Sequence, residues 1–387
     1  MTIGIKTRFA AHNLGGGGLV LSNAVGSVIA LLDALLVNGW NLRTAQTLVV
    51  AADGQSAQLS YAADHGYALS QVLRLSGSPD AWANVDCRIL SIPTPRSVVV
   101  SLTGPGGVTA SGIINSKCAP AGWTKTHANA ATYEAVYRPA DPEAPYLYVK
   151  NDVGGSTWWS EARGYLTMPA LGSGTGPFPN LTQKATSPWS VCVYGDAGWW
   201  FAGDDRTFYL GTPDNDRARH ACGFGAFDEF EPVPRSVSSG WLFITPNGAT
   251  SRTAAYANTN SFAVGVSGMI YAPYDADDLV ASTLVQVLPL HVRTGTSVVG
   301  GRNTGYTAPH PRSGGIMLAP VHLQVVGDAG RTYYLGAARG WLDPLHTSVT
   351  EGVHQNVPGF GEVVAFRGDL SSTSKTGAYA FSLADWY

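Results

Sequence analysis

Two short strings in the second half of this chain nearly repeat each other. Residues 206–211 read RTFYLG and residues 331–336 read RTYYLG. Each lies downstream of a GDAG tetrapeptide, at Gly195–Gly198 and Gly327–Gly330. Each precedes a GFG, at Gly223–Gly225 and Gly359–Gly361, with Phe230 or Phe366 five residues past the last Gly. Three landmarks in the same order point to a duplicated, Gly-punctuated β unit. Gly195, Gly198, Tyr209 and Gly223 would frame the first copy. Gly327, Gly330, Tyr334 and Gly359 would frame the second.

Composition agrees with a β reading. Charged residues make up 13% of the 387, about half the usual ~25%. There are 46 Gly, 23 Pro and 11 Trp. Such a chain suits many short strands joined by tight turns, and it is too apolar and too weakly charged for disorder. The length sets a prior of about two or three domains, each able to bury a core. A net charge of −3 lacks the basic footprint of a nucleic-acid binder. Cys87, Cys118, Cys192 and Cys222 include no CxxC pair, so a reduced protein is expected; Cys192–Cys222 is the one disulfide worth checking. The first 18 residues hold no apolar signal core, and the run Ala24–Val37 is too short, and broken by Asp33, to span a membrane.

Val25, Val28, Leu32 and Leu36 recur at helical spacing, with Ser22 or Asn23 as N-cap and Gly39 as the stop. The helix either packs on its own domain or belongs to an arm, residues 1–46, that docks on a neighbour. The tetraglycine Gly15–Gly18 before it reads as a flexible tether. Residues 47–116 read as a small β barrel or sandwich, with a turn at Asp53-Gly54 and strands near Gln58–Ala62, Val72–Leu75 and Val98–Leu102. Two further β domains follow, 117–250 with the first repeat and 251–387 with the second. Ala170–Pro179 and Thr245–Ala263 read as loops. Val321–Val326 alternates cleanly, and GDAG should turn it into RTYYLG as a hairpin. The fold class is therefore mainly β: several small sandwich- or barrel-like domains, one N-terminal helix and the duplicated unit.

No HExxH, GxxxxGK[ST] or GxSxG motif occurs. Asp204, Asp205, Asp214, Asp216, Asp228, Glu229 and Glu231 crowd the first repeat. They could form a glycosidase pair or a cation site, but Asp also favours turns, and the second copy lacks them. Asp275, Asp277 and Asp278 lack the Glu that a calcium loop needs. His322, His346 and His354 would have to converge to hold a metal. No catalytic residue, metal or cofactor is assigned. Trp158-Trp159 and Trp199-Trp200 are consecutive pairs; in a strand one ring of each faces in and one out, toward core, interface or sugar.

Several strings resemble a family of tailed-bacteriophage virion proteins encoded among structural genes. They are GSVIALLDALLVNGW (Gly26–Trp40), DHGYALSQVLRLSG (Asp64–Gly77), APAGWTK, YLYVKND, GYLTM with GTGPFP, DDRTFYLG with GFGAF, and GIMLAPVHL with GWLDPLH. The second departs from its usual pattern at Ser70-Gln71, where a Gly-Asp turn is common. The resemblance implies a tail or baseplate-type component, assembled in the bacterial cytoplasm and resident in the virion. It implies several copies contacting one another and other virion proteins, and no chemistry. Val25, Val28, Leu32, Leu36, Trp158, Trp159, Trp199 and Trp200 are the expected docking residues. The alternatives are a surface-exposed module binding a host receptor or glycan, a capsid-decorating virion protein and, behind them, a glycan-degrading enzyme using Asp204, Asp205 and Glu229.

Overall fold

The computed structural model describes residues 5–152, 160–179, 198–213, 219–229, 240–245, 269–272, 283–288, 318–326, 332–344, 350–357, 359–367 and 378–386. In chain order the strands are β1 (Arg8–Ala11), β2 (Trp40–Val50), β3 (Ser56–Tyr61), β4 (Val72–Ser76), β5 (Asp86–Thr94), β6 (Ser97–Ser101) and β7 (Ile114–Cys118). Then come β8 (Thr124–Asn129), β9 (Glu134–Arg138), β10 (Tyr146–Lys150), β11 (Glu161–Thr167), β12 (Thr175–Phe178), β13 (Trp200–Gly203), β14 (Thr207–Pro213), β15 (Arg219–Glu229) and β16 (Trp241–Thr245). The last are β17 (Met269–Ala272), β18 (Thr283–Leu288), β19 (Leu318–Val326), β20 (Thr332–Pro344), β21 (Gly352–Val357), β22 (Gly361–Arg367) and β23 (Ala378–Ser382). One helix, α1 (Ser27–Leu32), continues as a π-helical turn over Asp33–Asn38.

Strands β2-β3-β6-β5-β4-β7 close into a barrel. Alternation explains it: Leu48, Val50, Ala57, Leu59, Leu73, Leu75, Ile89, Val98 and Val100 point inward and are buried, and polar neighbours point out. The barrel closes over Trp40–Cys118, a few residues wider at each end than the β segment read from sequence. A five-stranded antiparallel sheet, β12-β11-β10-β9-β8, follows. The remaining strands form a twelve-stranded sheet, β1-β13-β14-β15-β16-β17-β18-β19-β20-β23-β22-β21. It curls on itself, because the end of β15 (Phe227–Glu229) also pairs with Gly336–Ala338 of β20.

The large sheet crosses the expected domain limits. It takes β1 from the N-terminal segment and runs without interruption from β16 to β17 across residue 250. The β19–β20 hairpin forms as expected, with Val326 opposite Thr332. The two repeat strings both become strands of this sheet. Their GFG triplets do not match: Gly223–Gly225 lies mid-strand in β15, opposite β14, whereas Gly359 and Phe360 form the turn before β22. In the first copy the turn before RTFYLG is made by Asp204–Arg206 rather than by GDAG. The insert WWFAGDD supplies an extra strand, β13. Gly195, Gly327, Gly330 and the side chain of Tyr334 lie outside the described residues. Within Ala170–Pro179, read as loop, Thr175–Phe178 adds edge strand β12 beside β11. Pro177 is tolerated because an edge strand need not use every N–H.

The N-terminal segment is not a tether. Strand β1 pairs with β13, and its outer side is tied to the barrel by Gln71, whose Nε2 donates to the Phe9 and Gly15 carbonyls, both at 3.1 Å. Gln71 Oε1 accepts the Ala68 N–H at 2.9 Å. Gly15 and Gly17 have φ of 65° and 58°, and added Cβ atoms would fall on the Gln71 amide and the Asn41 side chain. The glycines are there for close approach, not for slack. Helix α1 packs inside the same core: Val28, Leu31, Leu32, Leu35 and Leu36 are buried, and Val25 is half-buried. Neither Ser22 nor Asn23 caps it; the cap residue is Gly26, and Asn151 Oδ1 accepts the Val28 N–H at 3.1 Å from 123 residues away. Gly39 ends the helix as expected.

Two staples join barrel and large sheet. Arg8 on β1 meets Asp86 on β5 at 3.0 Å, and burial lowers the Arg8 pKa to about 10. Buried Arg88 donates to the Ser70 carbonyl and to the Leu383 carbonyl, both at 2.9 Å. The main core runs unbroken from the barrel residues Leu48 and Leu59 to Phe208 and Phe224 of the sheet.

Candidate functional site

Of the expected docking residues, Val28, Leu32, Leu36, Trp199 and Trp200 are buried inside the chain. Trp199 is 1% exposed and Trp200 is 0% exposed. The alternation rule holds, with Trp199 in the core shared with the barrel and Trp200 in the core on the opposite face. Both rings are buried because both faces of the sheet are covered. Trp200 stacks on Phe366 at 5.1 Å and leans on Tyr379 at 4.8 Å; Trp199 Nε1 donates to the Leu19 carbonyl. Val28, Leu32 and Leu36 are likewise spent on the chain's own core, with half-buried Val25 at the helix entry. Trp158 and Trp159 lie outside the described residues. Buried Tyr209 packs on Trp341 and Phe381 and donates its hydroxyl to the Arg339 carbonyl at 3.1 Å.

Two of the acids in this crowd, Asp204 and Asp228, share an ion cluster with Arg339. Asp204 is 0% exposed and accepts the N–H groups of Arg206 at 2.9 Å and Thr207 at 2.8 Å, which builds the β13–β14 turn. Its other oxygen meets Arg339 Nη2 at 3.1 Å, and Arg339 Nη1 meets Asp228 at 2.9 Å. Arg339 also donates to the Trp386 carbonyl, so the cluster holds the C-terminal segment. Burial raises the pKa of Asp204 and of Asp228, and Arg339 opposes both shifts. Asp205 faces Lys6 at 3.9 Å. The side chains of Asp214, Asp216, Glu229 and Glu231 and residues Asp275, Asp277 and Asp278 lie outside the described residues. With 0% exposure and both oxygens engaged, Asp204 is out of a substrate's reach.

A second polar cluster plugs one end of the barrel. Ser116 Oγ meets the Tyr61 hydroxyl at 3.0 Å and the Tyr67 hydroxyl at 2.9 Å. His65 Nδ1 accepts the Tyr67 N–H at 2.9 Å, so Nε2 carries the ring proton toward the Thr94 carbonyl. Burial lowers the His65 pKa. Serine and histidine do not meet, so no nucleophile–base pair exists here. His354 Nε2 contacts the Thr350 carbonyl, while His346 and the side chain of His322 lie outside the described residues. Among the described residues no three His, Cys, Asp or Glu gather, and no helix is long and apolar enough to cross a membrane. Cys87, Cys118 and Cys222 are free buried thiols, and Cys222 Sγ donates to the Leu210 carbonyl at 3.2 Å; Cys192 lies outside the described residues.

Two outer surfaces stand out among the described residues. One is the barrel wall along β2 and the chain entering β7, where Leu42 and Ile113 are 66% and 64% exposed and Val49 and Val108 are also exposed. The other is the outer face of the five-stranded sheet, which carries Tyr146, Tyr148, Tyr165 and Arg163. Composition marked neither surface, because each depends on which face of a strand turns outward. The Tyr146–Tyr148 alternation was the one available signal. No family model matches this chain, and no curated protein matches it.

Proposed function

We propose that this chain is a non-enzymatic structural component of a tailed-bacteriophage virion, of tail or baseplate type, that works by assembling in several copies. The observation that carries the assembly reading is the set of exposed apolar side chains Leu42, Val49, Val108 and Ile113 along β2 and the chain entering β7, interleaved with polar residues, on a chain so poor in charge. Interface cores are depleted in charge, and isolated apolar side chains of this size gain by leaving water. The virion assignment rests on the resemblance of the sequence strings. Of the acids that an enzymatic reading needs, Asp204 is engaged in a turn and an ion pair and Asp205 faces Lys6. These side chains take the place of the buried Trp199, Trp200 and helix residues as the surface offered to sister copies.

Mass photometry and sedimentation of the purified protein test the assembly. Multimers are expected, and the double variant Leu42→Asp/Ile113→Asp should dissociate them while keeping its thermal transition. Immunolabelling of particles tests the location. A protein that stays monomeric at high concentration and never enters particles overturns the proposal.

A further inference from the structure

The loop that plugs the barrel end is held by a histidine acting as an acceptor. His65 is 2% exposed, and its ring stacks on Tyr67 at 5.3 Å and tilts against Tyr61 at 5.6 Å. Its main chain is fixed on both sides: the His65 N–H donates to the Pro95 carbonyl and Asn41 Nδ2 donates to the His65 carbonyl, both at 2.9 Å. The ring's own task is to accept the buried Tyr67 N–H at Nδ1, 2.9 Å away. A buried backbone donor without a partner is costly. Only the neutral ring can serve it, because an imidazolium carries a proton on each nitrogen and accepts nothing.

What His65 holds extends well past the ring. The Tyr67 hydroxyl lies 3.1 Å from the Asn41 carbonyl and 3.0 Å from the Ser116 carbonyl. The next residue, Ala68, donates its N–H to Gln71 Oε1, and Gln71 Nε2 reaches the Phe9 and Gly15 carbonyls. The imidazole therefore starts a run of contacts that ends on the turn at residues 11–16, which is closed by the Ala11–Leu14 bonds. The charges around the ring are few. Asp64 favours the imidazolium, but its side chain is 72% exposed and pairs with Arg96 at 3.3 Å. Arg43, whose Nε is 3.4 Å from the His65 carbonyl, disfavours it. Tyr61 and Tyr67 stay protonated, since burial raises both hydroxyls. Burial is also the largest influence on His65, and it lowers the imidazole pKa against the opposing pull of the Thr94 carbonyl and Asp64.

We propose that His65 is an acid-sensitive latch: proton uptake at Nδ1 withdraws the acceptor from the Tyr67 N–H and frees the loop 64–71, together with the glycine turn that Gln71 holds. The proton comes from bulk water, and no covalent bond between heavy atoms changes. The closed loop resists protonation of the ring and the open loop does not. Closure is thus fully favoured above the ordinary imidazole value of about 6.5 and weakens as pH falls below it. The latch stands whether or not the chain assembles as proposed above.

The test is hydrogen exchange of the full chain at about pH 7.5 and about pH 5, with rates corrected for their intrinsic pH dependence. Protection of residues 64–71 should fall about five- to thirtyfold; the upper figure is what a fully exposed imidazole of ordinary pKa gives. Residues 11–16 should loosen with them, while strands β3 and β6 keep their protection. His65→Asn places an acceptor where Nδ1 was and does not titrate, so its loop should be equally protected at both pH values. The wild-type pair of measurements decides on its own should that variant fold poorly. The proposal is overturned if protection of 64–71 is the same at both pH values, if His65→Asn retains the loss, if β3 and β6 lose protection equally, or if residues 11–16 stay fully protected while the loop opens.

Discussion

The barrel and the large sheet solve the same problem with different side chains. The barrel has no free edge and a narrow interior, and aliphatic residues such as Leu48, Leu59, Val98 and Val100 fill it. The large sheet has to cover a broad face opposite the barrel, and it does so with large rings: Trp200, Tyr209, Trp341, Phe366, Tyr379, Phe381 and Trp386. Closure lets small side chains suffice, and an open, curled sheet needs reach. Aromatic rings are not confined to that face: the main core also buries Trp40, Tyr61, Trp123, Trp199, Phe208 and Phe224. Two arginines and one glutamine then lock the regions together, so they share a core rather than behaving as beads.

The comparison can be broken most forcefully at Trp200. Trp200→Ala should cost about 4 kcal/mol, and Leu59→Ala in the barrel about 3 kcal/mol, by urea unfolding. Because the main core runs through both regions, both variants should shift one common transition; separate transitions for the two would show that barrel and sheet fold independently. Next comes the ion cluster. Arg339→Met leaves the fully buried Asp204 uncompensated and should cost about 3 kcal/mol, read by the same unfolding curve, with early loss of protection at the C-terminal segment in hydrogen exchange.

The tetraglycine gives a sharper, smaller contrast. Gly15→Ala adds a Cβ onto the Gln71 amide and should cost about 2 kcal/mol or more. Gly18→Ala, with φ of 84° but open space around it, should cost about 1 kcal/mol. Equal effects would restore the tether reading. The smallest effect is in pH. Asp80, at the barrel edge, has its pKa lowered by the Ser111 N–H and hydroxyl. A lowered folded pKa gives stability that is present above the ordinary carboxylate range and lost as pH falls through the lowered value. Asp204 and Asp228, raised by burial, act with the opposite sign, their terms growing as pH falls into the window below the raised values. The stability gap between wild type and Asp80→Asn should therefore narrow on acidification; a constant gap would mean the Ser111 bonds do not select the charged form.

Much of the β architecture was legible. The Val321–Val326 alternation, the strands of the barrel and the helix stopped by Gly39 follow from local periodicity. The misreadings share one cause. Gly15–Gly18 reads as slack because sequence shows the absence of side chains and not what fills the space. Trp199-Trp200 reads as one ring out because alternation fixes faces, and only the packing of β22 and β23 decides that both faces are covered. Ser22 and Asn23 read as caps because Asn151, the actual acceptor, is remote in sequence. The GFG triplets look equivalent because pairing partners, not the triplet, determine whether it bends or extends.

By itself the chain determined its strand-and-turn grammar, because glycine, proline and two-residue periodicity act over a few bonds. Tertiary structure alone decided which strands close into a barrel, which tryptophans leave water and which acids are neutralised. Those outcomes depend on groups hundreds of residues apart, as when Asp204 meets Arg339 or Arg88 reaches the Leu383 carbonyl. Burial and charge pairing are properties of a location in space, and the chain acquires them only on folding.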